Sequence, residues 1–140
     1  METPETYRCA ECGLQLGDVI ANLESGVLAH YSDLEFAGRC VLALHEHAEH
    51  LEELSPTDLT QLMLDVRRAG QAIRKATGAT RINYAVLGNA APHIHVHLIP
   101  RGGANDLRGT DTPWGPPQPS EPLPEDEAER LRSEIAMALG

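Results

Sequence analysis

Residues 92–101 read Pro-His-Ile-His-Val-His-Leu-Ile-Pro-Arg, and this run constrains the fold more than any other stretch of the chain. Imidazole and aliphatic side chains alternate along it. In an extended strand that period of two sends His93, His95 and His97 to one face and Ile94, Val96 and Leu98 to the other. The aliphatic face needs a core, so the strand must lie in a sheet covered on one side. The other face is a row of imidazoles. Residues on one face repeat at roughly 7 Å, a spacing that suits lining up along a bound chain of phosphates or sharing a metal.

The flanking sequence supplies the rest of an α+β domain. Residues 19–23 and 27–31 are short apolar stretches around Glu24-Ser25-Gly26, which reads as a hairpin turn. Residues 38–44 are apolar almost throughout, as in a central strand covered on both faces, and run directly into His45, His47 and His50. Ser55 is placed to cap a helix, with Pro56 at its first position and Asp58 in its first turn. Leu59, Leu62, Met63, Val66, Ala69, Ile73 and Ala76 then predict one core-facing stripe, ended by Gly78. Residues 81–87 read as a strand, and the loop at 88–91 is short enough to make it an antiparallel neighbour of the histidine strand. The Pro- and Gly-rich residues 102–123, with Trp114 among them, predict a surface arm, and 124–139 a second amphipathic helix. Residues 1–8 have too little apolar content to pack and predict a loose tail, leaving 9–140 as a single domain. The expectation is an antiparallel sheet of about five strands with two helices.

Composition narrows the class. A chain of 140 residues with 41% apolar content fits one domain around one core. No apolar run approaches the roughly 20 residues of a membrane span, and the first residues lack the pattern of a signal peptide. Three cysteines cannot all pair, and Cys40 falls in a buried strand, so a disulfide framework is not expected and the cytoplasm is. The net charge of −10 argues against a nucleic-acid binder, which needs a basic surface to replace phosphate counterions. A phosphorylated ligand would have to be held locally, by Arg101, Arg108 and backbone amides near the triad. Asn83 and Asn89 lie within reach of the histidine face, at the start and end of the neighbouring strand and turn.

Two chemistries suggest themselves. An imidazole lone pair is available near neutral pH and can attack phosphorus. His95, flanked on its own face by two imidazoles, is the nucleophile the pattern favours, with His97 as the partner that holds a phosphate oxygen or protonates the leaving group. Cys9-x-x-Cys12 followed by Gly13 has the spacing that brings two thiolates to one tetrahedral zinc. Further ligands would come from His45, His47 or His50, among which the residues alone do not choose.

The run His93-Ile-His95-Val-His97-Leu-Ile resembles the signature of the histidine triad (HIT) family, and weaker similarity extends from Cys9 to about Trp114. The resemblance implies a nucleotide substrate, a dinucleoside polyphosphate or a nucleoside phosphoramidate, with a middle histidine that becomes transiently nucleotidylated, a third that contacts the phosphate, release of a nucleoside monophosphate, and no organic cofactor. It also implies a structural zinc on Cys9, Cys12, His47 and His93. The Leu87-Gly88-Asn89 loop and Pro92 look like those of a bacterial subgroup of dinucleoside polyphosphate hydrolases. Two positions depart from the family pattern: Ala90 stands where many relatives carry a hydroxyl residue, and Arg39 where many carry a histidine. Those departures bear on the leaving group, and leave open a nucleotidyltransferase or phosphorylase, or a nucleotide- or metal-binding module without turnover. Trp114 on a proline-stiffened arm resembles a segment that completes the partner's pocket in dimeric members, and predicts a homodimer.

Overall fold

The apolar stretches assemble into one antiparallel sheet in the computed structural model, which describes residues 6–114 and 121–140. Its strands are β3 (Val19–Asn22), β4 (Gly26–His30), β5 (Cys40–Leu44), β6 (Arg81–Ala85) and β7 (His95–Arg101), in spatial order β3-β4-β5-β7-β6. A separate ribbon pairs β1 (Tyr7–Arg8) with β2 (Gln15–Leu16). Helices α1 (Pro56–Thr77) and α2 (Glu125–Leu139) complete the α+β architecture expected from the sequence. No helix among the described residues is long and apolar enough to cross a membrane.

Register decides which side of the sheet is core. Leu28 pairs with Leu42, Cys40 with Leu98, and Leu42 with Val96, so these side chains share the face that packs on Leu62, Val66, Ala69 and Ile73 of α1 and Ile135 and Leu139 of α2. Truncating a fully buried member such as Leu42 to alanine would cost about 2–5 kcal/mol. The opposite face carries Val41, Ala43, His95 and His97, with Ala43 beside His95 and Val41 beside His97. Small neighbours leave the imidazoles standing above the sheet. The hairpin at Ser25 is pinned from behind, because buried Asp65 of α1 accepts hydrogen bonds from the Ser25 N–H (2.8 Å) and Oγ–H (2.6 Å). Gly26 is required there, since a Cβ would collide with the Ala43 carbonyl oxygen.

The helix signals read from sequence hold in detail. Ser55 Oγ accepts from the Asp58 N–H at 3.1 Å, and Gly78 ends α1 at φ 72°. Arg68 of α1 donates to the Leu139 carbonyl at 2.6 Å, tying the negative end of α2 to the first helix.

Four expectations are corrected. Tyr7 and Arg8 are not loose: they form β1, and Tyr7 reaches back to the main sheet; of the expected tail, residues 1–5 lie outside the described residues. The neighbouring strand stops at Ala85, short of Leu87. Leu59 and Met63 do not face the core but are exposed, because the buried stripe of α1 runs through Leu62, Val66, Ala69 and Ile73, and Met63 sits one residue, about 100°, past it. Finally, β7 begins at His95, so His93 precedes the strand and its ring is free to turn away from the other two. Of the arm, residues 115–120 lie outside the described residues; its end is docked, with Leu34 N–H on the Glu121 carbonyl and Leu123 buried against Leu131.

Candidate functional site

The three histidines divide between two places. His93 is fully buried and turned toward the N-terminal knuckle, where its Nδ1 lies 3.5 Å from Cys12 Sγ and 3.4 Å from His47 Nδ1; Cys9 Sγ lies 3.8 Å from His47 Nδ1. Ligand atoms of Cys9, Cys12, His47 and His93 all lie within 4.8 Å of one another. A tetrahedral zinc, with Zn–N near 2.0 Å and Zn–S near 2.3 Å, requires ligand edges of about 3.3 Å between nitrogens and about 3.5 Å between nitrogen and sulfur. The donor set and spacing therefore fit that ion. The knuckle is closed by Gly13 at φ 78°, whose N–H donates to the Cys9 carbonyl. Backbone N–H groups of Cys12 and Glu11 hold the Cys9 thiol down to about 6, so its thiolate is available at neutral pH.

The ring of His93 is oriented by a group the sequence did not suggest. Its Nε2–H donates to the Leu44 carbonyl at 2.9 Å, which leaves the Nδ1 lone pair toward the thiols. Tyr7 donates to the same carbonyl at 2.9 Å, its hydroxyl pushed up to about 12 by burial and by the two thiols. A two-residue strand gives no periodic signal, so Tyr7 could not be found from sequence. Of the alternatives to His47, His45 uses Nε2–H on the Leu23 carbonyl (2.8 Å), and exposed His50 caps a short 3-10 turn, Leu51–Glu53.

His95 and His97 remain on the open face, ring centroids 5.0 Å apart. The His95 Nδ1–H donates to the His93 carbonyl at 2.6 Å. That bond fixes the tautomer and leaves Nε2 as the free lone pair. His97 contacts Trp114 at 5.8 Å between rings, crossing at 78°, and lies 3.5 Å from Arg39 Nη2 through its Nδ1. Burial first, then the charges of Arg39 and His95, push His97 down to about 4. It is neutral at physiological pH.

The structure gives three other residues contacts different from those expected. Arg101 is buried, and all five of its N–H donors are used: Nε and Nη2 on Asp106 (2.7 and 3.3 Å), Nη1 on Asn83 Oδ1 and the Asp111 carbonyl (2.8 Å each), and Nη2 also on the Gly109 carbonyl (3.3 Å). None is left for a phosphate, and Arg101 instead folds the 102–111 loop. The Asp106 carboxyl, although burial opposes it, is held below the usual range by hydrogen bonds from Arg101, Gly102 and Arg108. Asn83 accepts from Arg101 and also lines a cavity of ≈ 620 Å³ between β6 and the 109–114 loop. Arg108 pairs with Glu35 at 3.0 Å, both largely buried, and so braces the same loop. Asn89 is exposed in the turn before Pro92. The two imidazoles therefore lie between the His93–Leu44 contact at one end of β7 and the Arg101 contacts at the other.

An antiparallel sheet with helices on one face and paired imidazoles on a central strand of the other defines a class of protein. The HIT domain model matches residues 18–104, and the chain belongs to that family. It is 38% identical over 77 residues to the asymmetrical bis(5'-nucleosyl)-tetraphosphatase of Schizosaccharomyces pombe, a match covering 48% of this chain and 42% of that protein, so it spans less than half the length of that relative. Among solved structures, a histidine triad protein from Sinorhizobium meliloti is similar at TM-score 0.74 and 28% identity, covering 84% of this chain and 87% of the other. A Zn-bound histidine triad family protein from Mycobacterium smegmatis shares the fold at TM-score 0.60 and 20% identity, covering 85% and 84%.

Proposed function

We propose that this protein hydrolyses a phosphoanhydride of a nucleotide, of the dinucleoside polyphosphate type, through a nucleotidyl-His95 intermediate, and releases a nucleoside monophosphate. The observation that carries the reading is the 2.6 Å hydrogen bond from His95 Nδ1–H to the His93 carbonyl, which frees Nε2 on the open face. The tetraphosphatase relative supports a nucleotide substrate.

In the first step His95 Nε2 forms a bond to phosphorus while the bond to the bridging oxygen breaks, its electron pair leaving with the remaining nucleotide. A polyphosphate departs as an anion and needs no proton, which suits a site where Ala90 offers no hydroxyl and His97 is neutral. His97 supplies its Nε2–H to a phosphate oxygen instead. The adduct carries an imidazolium whose Nδ1–H still faces the His93 carbonyl, so the charge formed on attack is stabilised by a dipole already in place. Water then adds to phosphorus, the N–P bond breaks, its electrons return to His95, and one proton passes to solvent. A phosphoramidate would follow the same path but would need a proton for its amine.

Incubation with a dinucleoside polyphosphate, with and without added inorganic phosphate, tests the reading. The expected products are a nucleoside monophosphate and the complementary nucleotide in both cases. A nucleoside diphosphate formed only with phosphate would assign a phosphorylase, and binding without products a non-catalytic module.

Two further features belong to this reading. Cys9, Cys12, His47 and His93 would hold a structural zinc, which closes the knuckle against the start of β7 and supplies no reacting group. A homodimer is supported by an apolar surface on α1 and β6: Leu59, Met63 and Leu64 are exposed on the helix, and Tyr84, Val86 and Leu87 on the edge strand and its extension. The Tyr84 hydroxyl rests against Gly70 of α1, two turns after Met63. Trp114 already reaches His97 of its own chain and is 47% exposed, open to a second copy. Light scattering at micromolar concentration should give about 30 kDa, twice the 15.2 kDa chain, and Trp114→Ala should change the Michaelis constant more than stability. A 15 kDa species would remove the dimer.

A further inference from the structure

Arg39 stands immediately before β5, on the same face as Val41 and therefore beside His97. Four observations describe it. Its Nη2 is 3.5 Å from His97 Nδ1. Its Nη1 is 3.6 Å from the Asp33 carboxylate. Its guanidinium lies over the Tyr31 ring, 4.9 Å from the centroid, and Tyr31 is its cross-strand neighbour, with the Tyr31 N–H donating to the Arg39 carbonyl at 2.8 Å. Its Nε is buried without a hydrogen-bond partner among the described residues. A side chain clamped by a ring beneath and a carboxylate behind has little freedom, and what it is aimed at is His97.

A guanidinium has donors only and is always protonated. The ring nitrogen that faces it must accept, so the proton of neutral His97 is on Nε2. We propose that Arg39 is a positioning residue that fixes His97 in the Nε2–H tautomer, with Asp33 and Tyr31 holding Arg39 in place. Without it, the Nδ1–H and Nε2–H forms of His97 would interchange, and the Nδ1–H form presents a lone pair, not a donor, to a phosphate oxygen. The arrangement mirrors His95, whose tautomer is set by the His93 carbonyl acting on the opposite principle. A carbonyl puts the proton on Nδ1 of one ring, and a guanidinium keeps it off Nδ1 of the next. The open face thus presents one lone pair and one N–H side by side, the complement of a phosphorus atom and its oxygen. The same charge contributes to keeping His97 neutral, since it opposes formation of a second cation 3.5 Å away.

The inference rests on the proposed hydrolase reading for its kinetic consequence but not for its structural one, and the test separates them. Nitrogen-15 spectra of the histidine rings are recorded for the wild type, Arg39→Met and Arg39→Lys, alongside kcat and KM with a dinucleoside polyphosphate. The wild type should show His97 as one tautomer protonated at Nε2. Arg39→Met should show exchange between tautomers, with kcat lowered about tenfold or more and KM changed less than about threefold. Arg39→Lys, which keeps the charge but loses the planar fork, should fall between, and serves if the methionine variant does not fold. An unchanged His97 tautomer with unchanged kcat in a folded variant overturns the proposal, as does a rise in KM alone, which would make Arg39 a direct substrate ligand. If the wild type forms no products, the hydrolase reading fails while the spectra still decide the role of Arg39.

Discussion

His95→Ala is expected to lower turnover of a dinucleoside polyphosphate by at least about 10⁴-fold, roughly 5.4 kcal/mol of barrier, while leaving the fold intact. The size follows from the proposed role: removing the nucleophile would abolish the covalent path, leaving the modest benefit of binding and of the donor on His97. The fold should survive because His95 is half-buried on the open face, and its loss leaves no core cavity. Intact mass of rapidly quenched wild type should carry one nucleotidyl group that the variant lacks. His97→Ala should fall less far, by about 10²-fold, since it removes one phosphate donor. His97 is held at about 4, below its ordinary value, so its neutral donor form persists as pH falls and it imposes no acid limb until near pH 4. Wild-type rates in His95→Ala would sink the covalent mechanism, leaving the family assignment untouched.

The division of labour among the histidines was only half visible in the sequence. Period-two alternation gave β7, its core face and the pair His95 and His97, because alternation is a property of the strand itself. It also placed His93 with them, and there it misled. The chain bends before His95, and the Leu44 carbonyl turns the His93 ring to the knuckle, a contact 49 residues away in sequence that no local pattern records. Arg101 shows the same limit in another form. Its position after the triad suggested a phosphate ligand, but whether a guanidinium is free depends on a loop that folds back over it, and here Asp106, Gly109, Asp111 and Asn83 consume every donor. Arg39 carried a faint signal, as a residue out of place where relatives have histidine, but its meaning needed the Asp33 and Tyr31 contacts. Leu59 and Met63 were misassigned because apolar spacing on a 22-residue helix identifies more than one stripe, and only packing selects among them.

His93 joins the two halves of the site, and this gives the other large expected effect. Its ring is one of four converging side chains that could hold a metal, while its carbonyl accepts the hydrogen bond that sets the His95 tautomer. Purified protein should contain about one zinc per chain. Cys9→Ser and His47→Ala should each lose it and be destabilised by about 3–5 kcal/mol, or roughly 10–15 °C in melting temperature for a domain of this size. The loss is well below the binding free energy of a zinc-finger peptide, about 10–16 kcal/mol, because this domain keeps a core of its own on the helix side of the sheet. The two substitutions together should cost little more than either alone, since both remove the same ion. Catalysis should fall too, by about tenfold at temperatures where the variants are fully folded, because a His93 ring released from the cluster no longer fixes the backbone carbonyl beneath His95. A chelated protein that keeps its melting temperature would remove the metal site. Full stability loss with unchanged turnover would leave the site standing but sever it from the tautomer of His95.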